Sequence, residues 1–120
     1  MNNITFSFIR AFLFIGAIAF GIQATVMPKA KVVNIKTSAV CELCKKRIEK
    51  GLSQQDGVME AILNLNSKQV KIKFDPDKTS PVALRNTIAG MGYNADDVKA
   101  NVEAYHKLPA CCQKPGVCEH

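Results

Sequence analysis

Hydrophobic and polar residues alternate along three stretches of the chain with the period of two that is typical of half-buried β-strands. These stretches are residues 31–38, 58–65 and 69–74. The polar turn 66–67 joins the second and third, which predicts a hairpin, and Pro76 ends it because proline cannot donate a ladder hydrogen bond. The residues predicted to face the core are Val33, Ile35, Met59, Ala61, Leu63, Leu65, Val70, Ile72 and Phe74.

Two further stretches have the period of an amphipathic helix. In the first, Cys44, Ile48 and Leu52 recur every four residues and share one face. The second begins at Ser80, a good N-cap, followed by Pro81 at the first helical position. Its apolar stripe comprises Leu84, Ile88 and Met91, and its end is marked by Gly90 and Gly92.

Residues 93–99 are long enough for a fourth, weaker strand, although Asn94, Asp96 and Asp97 are poor strand formers. The predicted order is therefore βαββαβ over residues 31–99. This order predicts an α+β sandwich with a four-stranded antiparallel sheet and two helices on one face.

An apolar run at residues 11–22 follows Arg10 and a polar start. It is shorter than the roughly 20 residues that a membrane-spanning helix needs, and it is typical of a secretory signal peptide. We expect cleavage after Ala24, so that residues 1–24 form the signal and the mature protein is periplasmic or secreted. An uncleaved membrane anchor is the alternative.

Charge and length exclude some classes of function. The formal net charge is +6 and tryptophan is absent, and the lysines are scattered, which favours a soluble basic surface over nucleic-acid binding; a docking face for acidic partners is the alternative. A chain of 120 residues also leaves little room for a multi-domain enzyme with a deep site.

Cys41 and Cys44 stand two residues apart where the first strand leads into the first helix. Both sulfurs can converge on one ion there, and the helix start favours thiolates. Two thiolates suit Cu(I), whereas Zn(II) usually takes more protein ligands. A redox-active dithiol and a structural disulfide are the alternatives, although a thioredoxin-like core needs a parallel βαβ crossover, which this order does not offer in the required place. We expect both cysteines to lie on an exposed loop.

The chain resembles the heavy-metal-associated domain, the ferredoxin-like module of copper chaperones, metal-pumping ATPases and the periplasmic mercuric-ion carrier. The resemblance covers residues 31–99. It is carried by the Cys-Glu-Leu-Cys run at 41–44, Gly-Val at 57–58, Phe-Asp-Pro at 74–76 and Met-Gly-Tyr at 91–93. Together with the export signal, these motifs are most like the periplasmic carriers.

The resemblance also implies roles for two residues. The family commonly has Gly-Met-Thr before the first cysteine, and Ala39 stands here at the position of the methionine that supports the loop. A less rigid loop is the expected consequence. Tyr93 matches a family position near the bound ion, which implies a role beside the ligands; a tyrosine closing the edge of the core is the alternative.

The C-terminal extension, residues 100–120, lies outside the resemblance. It contains a short predicted helix at 102–108 and a lone His106, expected at the surface. Three interpretations stay open for its cysteines and last histidine: a second soft-metal site, an arm that adds ligands to the first site, or a disulfide between Cys112 and Cys118. The candidate ligands are Cys111, Cys112, Cys118 and His120. We expect residues beyond Lys107 to add little to the core.

These features predict a non-enzymatic, exported heavy-metal-binding protein. It would capture Cu(I), or alternatively Hg(II) and less favourably Zn(II), through Cys41 and Cys44. The ion would pass by thiolate exchange to a metal-transporting membrane protein or another metal-binding domain. We expect a monomer without a nucleic-acid partner. The alternatives are a periplasmic thiol–disulfide oxidoreductase using the same cysteines and a passive metal-sequestering protein.

Overall fold

The computed structural model describes Gly21, Met27 and residues 29–113. The predicted signal peptide, residues 1–24, lies outside the described residues apart from Gly21 and stays a prediction. None of the helices in the described part of the chain has the length and apolar character needed to cross a bilayer. The elements are β1 (Lys31–Lys36), α1 (Glu42–Ser53), β2 (Val58–Asn64), β3 (Gln69–Phe74), α2 (Pro81–Gly90), α3 (Val102–His106) and α4 (Ala110–Gln113).

The three strands form an antiparallel sheet in the order β1-β3-β2. Val70 in the central strand pairs with Ile35 on one side and with Leu63 on the other. All three side chains are buried, so the predicted alternation of the three strands places one common face in the core. The helices α1 and α2 cover that face: Ile48 and Leu84 belong to the same buried cluster.

The start of β2 departs from the predicted alternation. The pairing with β3 shifts by one residue between Val58 and Glu60, which is a β-bulge. Val58 therefore packs against the core, and Met59 is 43% exposed. The prediction that Met59 faces the core was wrong, because a bulge interrupts the period of two on which it depended.

The N-terminus of α2 confirms the sequence-based prediction. Ser80 has extended backbone geometry, and its hydroxyl oxygen accepts a hydrogen bond from the Ala83 amide at 3.2 Å. Pro81 follows at the first helical position. This cap fixes where α2 begins and hence which of its residues face the sheet.

The predicted fourth strand is absent from the described part of the chain. Residues 93–99 keep only isolated bridges, one from Ala95 to Thr37 beside the end of β1 and one from Ala95 to Val98. Between them Asp96 adopts a left-handed backbone with φ 51°, and its carboxylate accepts hydrogen bonds from the Lys36 amide at 2.9 Å and from Arg85 at 2.8 Å. A turn held by this side chain replaces the ladder of a fourth strand.

The C-terminal extension folds back onto the domain. The Asn101 amide donates to the carbonyl of Ala89 at 2.9 Å, and the Asn101 side chain caps α3. Gly92 has φ +98°, and a Cβ there would lie 2.9 Å from the backbone of Ala104. Glycine is required because the chain turns with a positive φ while α3 passes directly over it.

The extension also completes the core. Leu108 and Cys112 are 7% and 4% exposed and belong to the main buried cluster. The expectation that residues beyond Lys107 add little to the core was therefore wrong. Sequence periodicity could not reveal this contact, because it depends on how the end of α2 directs the following chain.

Candidate metal centre

Cys41 is the N-cap residue of α1. Its backbone is extended, at φ −150° and ψ 170°, and its carbonyl accepts the first hydrogen bond of the helix from Lys45 at 3.0 Å. The Cys41 side chain makes no capping hydrogen bond, so its sulfur is turned to other groups. It is partly exposed.

Cys44 lies in the first turn of α1, with its sulfur 3.2 Å from that of Cys41. It is 0% exposed. The expectation that both cysteines lie on an exposed loop was therefore wrong for Cys44. The reason lies in the helical period, because Cys44 shares its face with Ile48 and Leu52 and that face packs in the core.

Two cysteines of the extension meet this pair. The sulfurs of Cys111 and Cys112 each lie 4.0 Å from the sulfur of Cys41 and 4.0 Å from each other. These three sulfurs form a group that could hold a metal ion. Within the described residues, this placement matches an arm that adds ligands to the first site better than a separate second site.

Cys118 and His120, the other candidate ligands, lie outside the described residues. Their role, including a disulfide between Cys112 and Cys118, stays a prediction. His106 is exposed at the end of α3, which confirms its expected place at the surface.

The inner part of the cluster is shielded from water. Burial raises the pKa of the Cys112 thiol far above its usual range, and the neighbouring Cys44 adds to this effect. Burial likewise raises the pKa of Tyr93, with further contributions from Cys112 and Cys44. Tyr93 is 1% exposed, and its hydroxyl has no hydrogen-bond partner within the described part of the chain. The side chain thus closes the core edge and also lies beside the cysteines.

The loop before Cys41 is held from several sides. Ala39 is completely buried, and its amide donates to the Thr37 hydroxyl at 3.3 Å. That hydroxyl donates in turn to the carbonyl of Lys68 at 3.2 Å, and the Ser38 hydroxyl accepts from the Asn94 amide at 3.0 Å. These hydrogen bonds hold the loop to Lys68 and to Asn94.

Sequence reasoning missed the residues that hold the extension against the site. The Tyr105 hydroxyl donates to the carbonyl of Gln113 at 2.9 Å, and the Gln113 side chain donates to the carbonyl of Leu108 at 2.7 Å. Tyr105, Leu108 and Cys112 follow one another at intervals of three and four. This spacing was the available signal that one side of the extension would be buried.

The donor set is composed of sulfur. Thiolates favour soft ions such as Cu(I) over the hard ions that prefer oxygen. Cys41 and Cys111 are partly exposed, whereas Cys44 and Cys112 are buried. An ion can therefore approach from the side of Cys41 and Cys111.

Comparison with known proteins agrees with this chemistry. The heavy-metal-associated domain family matches residues 38–94. A copper-exporting P-type ATPase of Staphylococcus aureus (strain Newman) is 39% identical over 80 residues, which cover 60% of this chain but only 10% of the ATPase.

Two solved structures share the fold. A CopZ metallochaperone is 27% identical with a TM-score of 0.53, over 54% of this chain and 98% of that one. Oxidized MerP from Ralstonia metallidurans CH34 is 25% identical with a TM-score of 0.54, over 56% and 94% of the two chains. The matched part includes Cys41, Cys44 and Tyr93 and stops before the extension. Residues 38–94 therefore belong to the heavy-metal-associated domain family.

Proposed function

We propose that the protein is an exported carrier of Cu(I) that binds the ion through Cys41 and Cys44. The observation that carries the proposal is the pair of sulfurs 3.2 Å apart at the start of α1, inside a domain of the heavy-metal-associated family. Cys41 is open to the solvent in part, whereas Cys44 is anchored in the core. One ligand can thus meet an incoming ion while the other keeps its position.

Copper is favoured over the other soft metals. Thiolates select Cu(I) among abundant cellular ions, and zinc sites normally add further protein ligands or water. The similar proteins are named as a copper-exporting ATPase and a metallochaperone. Hg(II), which also favours sulfur ligands, is the alternative cargo.

Transfer requires no change in the oxidation state of the ion. A thiolate of the receiving protein binds the ion while one cysteine of the carrier leaves, and the second exchange releases the ion. The proposed receiver is a metal-transporting membrane protein or another metal-binding domain, since the relative is an exporting ATPase. The apolar run at residues 11–22 is the basis for proposing export to the periplasm or out of the cell.

The primary site is tested with the variant Cys41→Ser/Cys44→Ala. Alanine is used at position 44 because a serine would place a hydroxyl in the core, where Cys44 is 0% exposed. We expect the variant to lose tight Cu(I) binding, measured by native mass spectrometry and by competition with a chromophoric Cu(I) chelator. Circular dichroism of the metal-free variant controls for the fold.

Two results would contradict the proposal. One is unchanged Cu(I) affinity in the double variant, which would move the site away from Cys41 and Cys44. The other is rapid reduction of insulin disulfides by the unmodified protein with a regenerating reductant, which would favour an oxidoreductase using the same pair.

A further inference from the structure

The C-terminal extension is attached to the domain at its beginning and at its end. Near its beginning, the Asn101 amide donates a hydrogen bond to the carbonyl of Ala89 at the end of α2. The backbone of Ala104 then passes over Gly92, and Leu108 enters the core. These contacts bring the extension to the same end of the domain as the N-terminus of α1.

Hydrogen bonds within the extension fix the position of its two described cysteines. The Cys112 amide donates to the carbonyl of Pro109 at 2.9 Å, which forms the turn of α4. Tyr105 binds the far end of α4 through Gln113. Cys111 and Cys112 are thus held by contacts that do not involve their own sulfurs.

The sulfurs of Cys41, Cys111 and Cys112 form an equilateral triangle with sides of 4.0 Å. The centre of such a triangle lies about 2.3 Å from each sulfur, which is the usual length of a zinc–thiolate bond. Bonds from sulfur to other first-row metal ions are of similar length. The three sulfurs are therefore spaced for a trigonal ion without rearrangement.

The spacing of Cys41 and Cys44 differs from what an ion with only two ligands needs. Two thiolates on opposite sides of an ion would be about 4.6 Å apart, twice the bond length of about 2.3 Å. Their sulfurs are 3.2 Å apart, and Cys44 is fixed in the core. The triangle is closer to a binding geometry than the pair is.

We propose that Cys111 and Cys112 are metal ligands, and that the extension closes a three-thiolate Cu(I) site with Cys41. This inference rests on the proposed function and refines its ligand set: Cys41 and the two cysteines of the extension hold the ion in the closed protein, and Cys41 and Cys44 hold it once the extension has left. Binding of one Cu(I) forms three copper–sulfur bonds, releases the thiol protons to solvent and changes no oxidation state. Cys44, beside Cys41, remains available as the ligand that takes over when the extension leaves.

The closed site changes how Cu(I) is transferred to a receiving protein. A receiving protein must displace a sulfur of the extension before it can bind the ion. The extension therefore competes with the partner from within the same molecule, and it slows the loss of Cu(I) when no partner is present.

The test is X-ray absorption spectroscopy of the reduced full-length chain with one equivalent of Cu(I). We expect three sulfur neighbours around copper in the unmodified protein and two in Cys111→Ser/Cys112→Ala, where Cys41 and Cys44 remain. Serine is used at position 111, which is partly exposed, and alanine at position 112, which is buried. Circular dichroism checks that the variant is folded.

A second variant disturbs the extension and leaves every cysteine in place. In Gly92→Ala the new Cβ would lie 2.9 Å from the backbone of Ala104, so α3 must move. We expect two sulfur neighbours here as well. The matched control is Gly90→Ala, where a Cβ meets nothing within 4 Å, and three sulfurs should remain.

The outcomes separate this inference from the proposed function. Two sulfur neighbours in the unmodified protein, unchanged in Cys111→Ser/Cys112→Ala and in Gly92→Ala, would overturn the three-thiolate site while Cu(I) binding by the domain stands. Three sulfur neighbours in all of these proteins would overturn it as well, because the ligands would then not come from the extension. No Cu(I) bound by the unmodified protein would overturn the proposed function itself.

Discussion

Tyr93 brings a polar atom into the core without a hydrogen bond. Its side chain is 1% exposed, and the hydroxyl has no partner within the described part of the chain. A buried polar group without a partner costs about 1–3 kcal/mol. Ion binding would offset this cost. The neighbouring sulfurs of Cys44 and Cys112 become acceptors for this hydroxyl when they lose their protons to form thiolates.

The substitution Tyr93→Phe should therefore raise the free energy of unfolding of the metal-free protein, by up to about 1–3 kcal/mol. Tyr105→Phe is the matched variant, because the Tyr105 hydroxyl donates to the carbonyl of Gln113 at 2.9 Å. It should lower the free energy of unfolding by about 1 kcal/mol. Urea denaturation of both variants under reducing conditions measures the difference.

In the Cu(I)-bound protein, we expect the effect of Tyr93→Phe to be unfavourable. A hydrogen bond from the hydroxyl to a thiolate would be lost, so the variant should bind Cu(I) more weakly than the unmodified protein. If metal-free stability falls in Tyr93→Phe and Cu(I) affinity does not change, Tyr93 only fills the edge of the core.

At the scale of the elements, the turn around Asp96 replaces the fourth strand. Partial burial of the Asp96 carboxylate would raise its pKa, but the hydrogen bonds from Arg85 and from the Lys36 amide, with the charge of Arg85, outweigh burial and lower the pKa. A carboxylate with a lowered pKa stabilises the fold above its ordinary pKa, about 3.9, and loses this contribution as the pH falls through the lowered value.

We therefore expect Asp96→Asn to be less stable than the unmodified protein at pH 7. The difference should narrow as the pH falls below about 4, because the unmodified carboxylate becomes protonated there. Chemical denaturation at a series of pH values measures this. Asp97→Asn removes one negative charge at the next position of the same turn and serves as the control. Parallel curves for Asp96→Asn and the unmodified protein would contradict the role of Asp96.

At the scale of the whole molecule, the C-terminal extension is part of the folded unit. Leu108 and Cys112 lie in the same buried cluster as the helices and the sheet. The matched family segment ends at residue 94, so the extension adds a layer outside that segment. The addition covers the end of the molecule that carries Cys41 and Cys44.

Truncation after Lys107 should lower the free energy of unfolding, by at least the roughly 1.5–3 kcal/mol that burial of a leucine side chain contributes. It should also speed the loss of Cu(I) to a chelator, because Cys111 and Cys112 are removed. Thermal denaturation and stopped-flow chelation measure the two effects.

Truncation after Gln113 is the matched control for stability, since it keeps Leu108 and the hydrogen bonds of Gln113 to Tyr105, His106 and Leu108. Equal stability of the chains ending at Lys107 and at Gln113 would show that the extension does not stabilise the core.

The sequence by itself determined the elements from β1 to α2 and the candidate ligand pair. Alternation of apolar residues located β1, β2 and β3, the spacing of Cys44, Ile48 and Leu52 located α1, and Ser80 located the start of α2. These are local properties, because a strand or helix must turn its apolar residues to one side wherever the rest of the chain lies. The Cys41–Cys44 spacing indicated a soft-metal site for the same local reason.

The tertiary structure decided what depends on distant parts of the chain. The bulge at Met59 follows from the pairing of β2 with β3. A turn replaces the fourth strand because the Asp96 carboxylate accepts hydrogen bonds from Lys36 and Arg85, 60 and 11 positions away. The approach of Cys111 and Cys112 to Cys41, 70 and 71 positions away, depends on the turn at Gly92 and on burial of Leu108. No local pattern encodes such distances, since they arise only when the whole chain is folded.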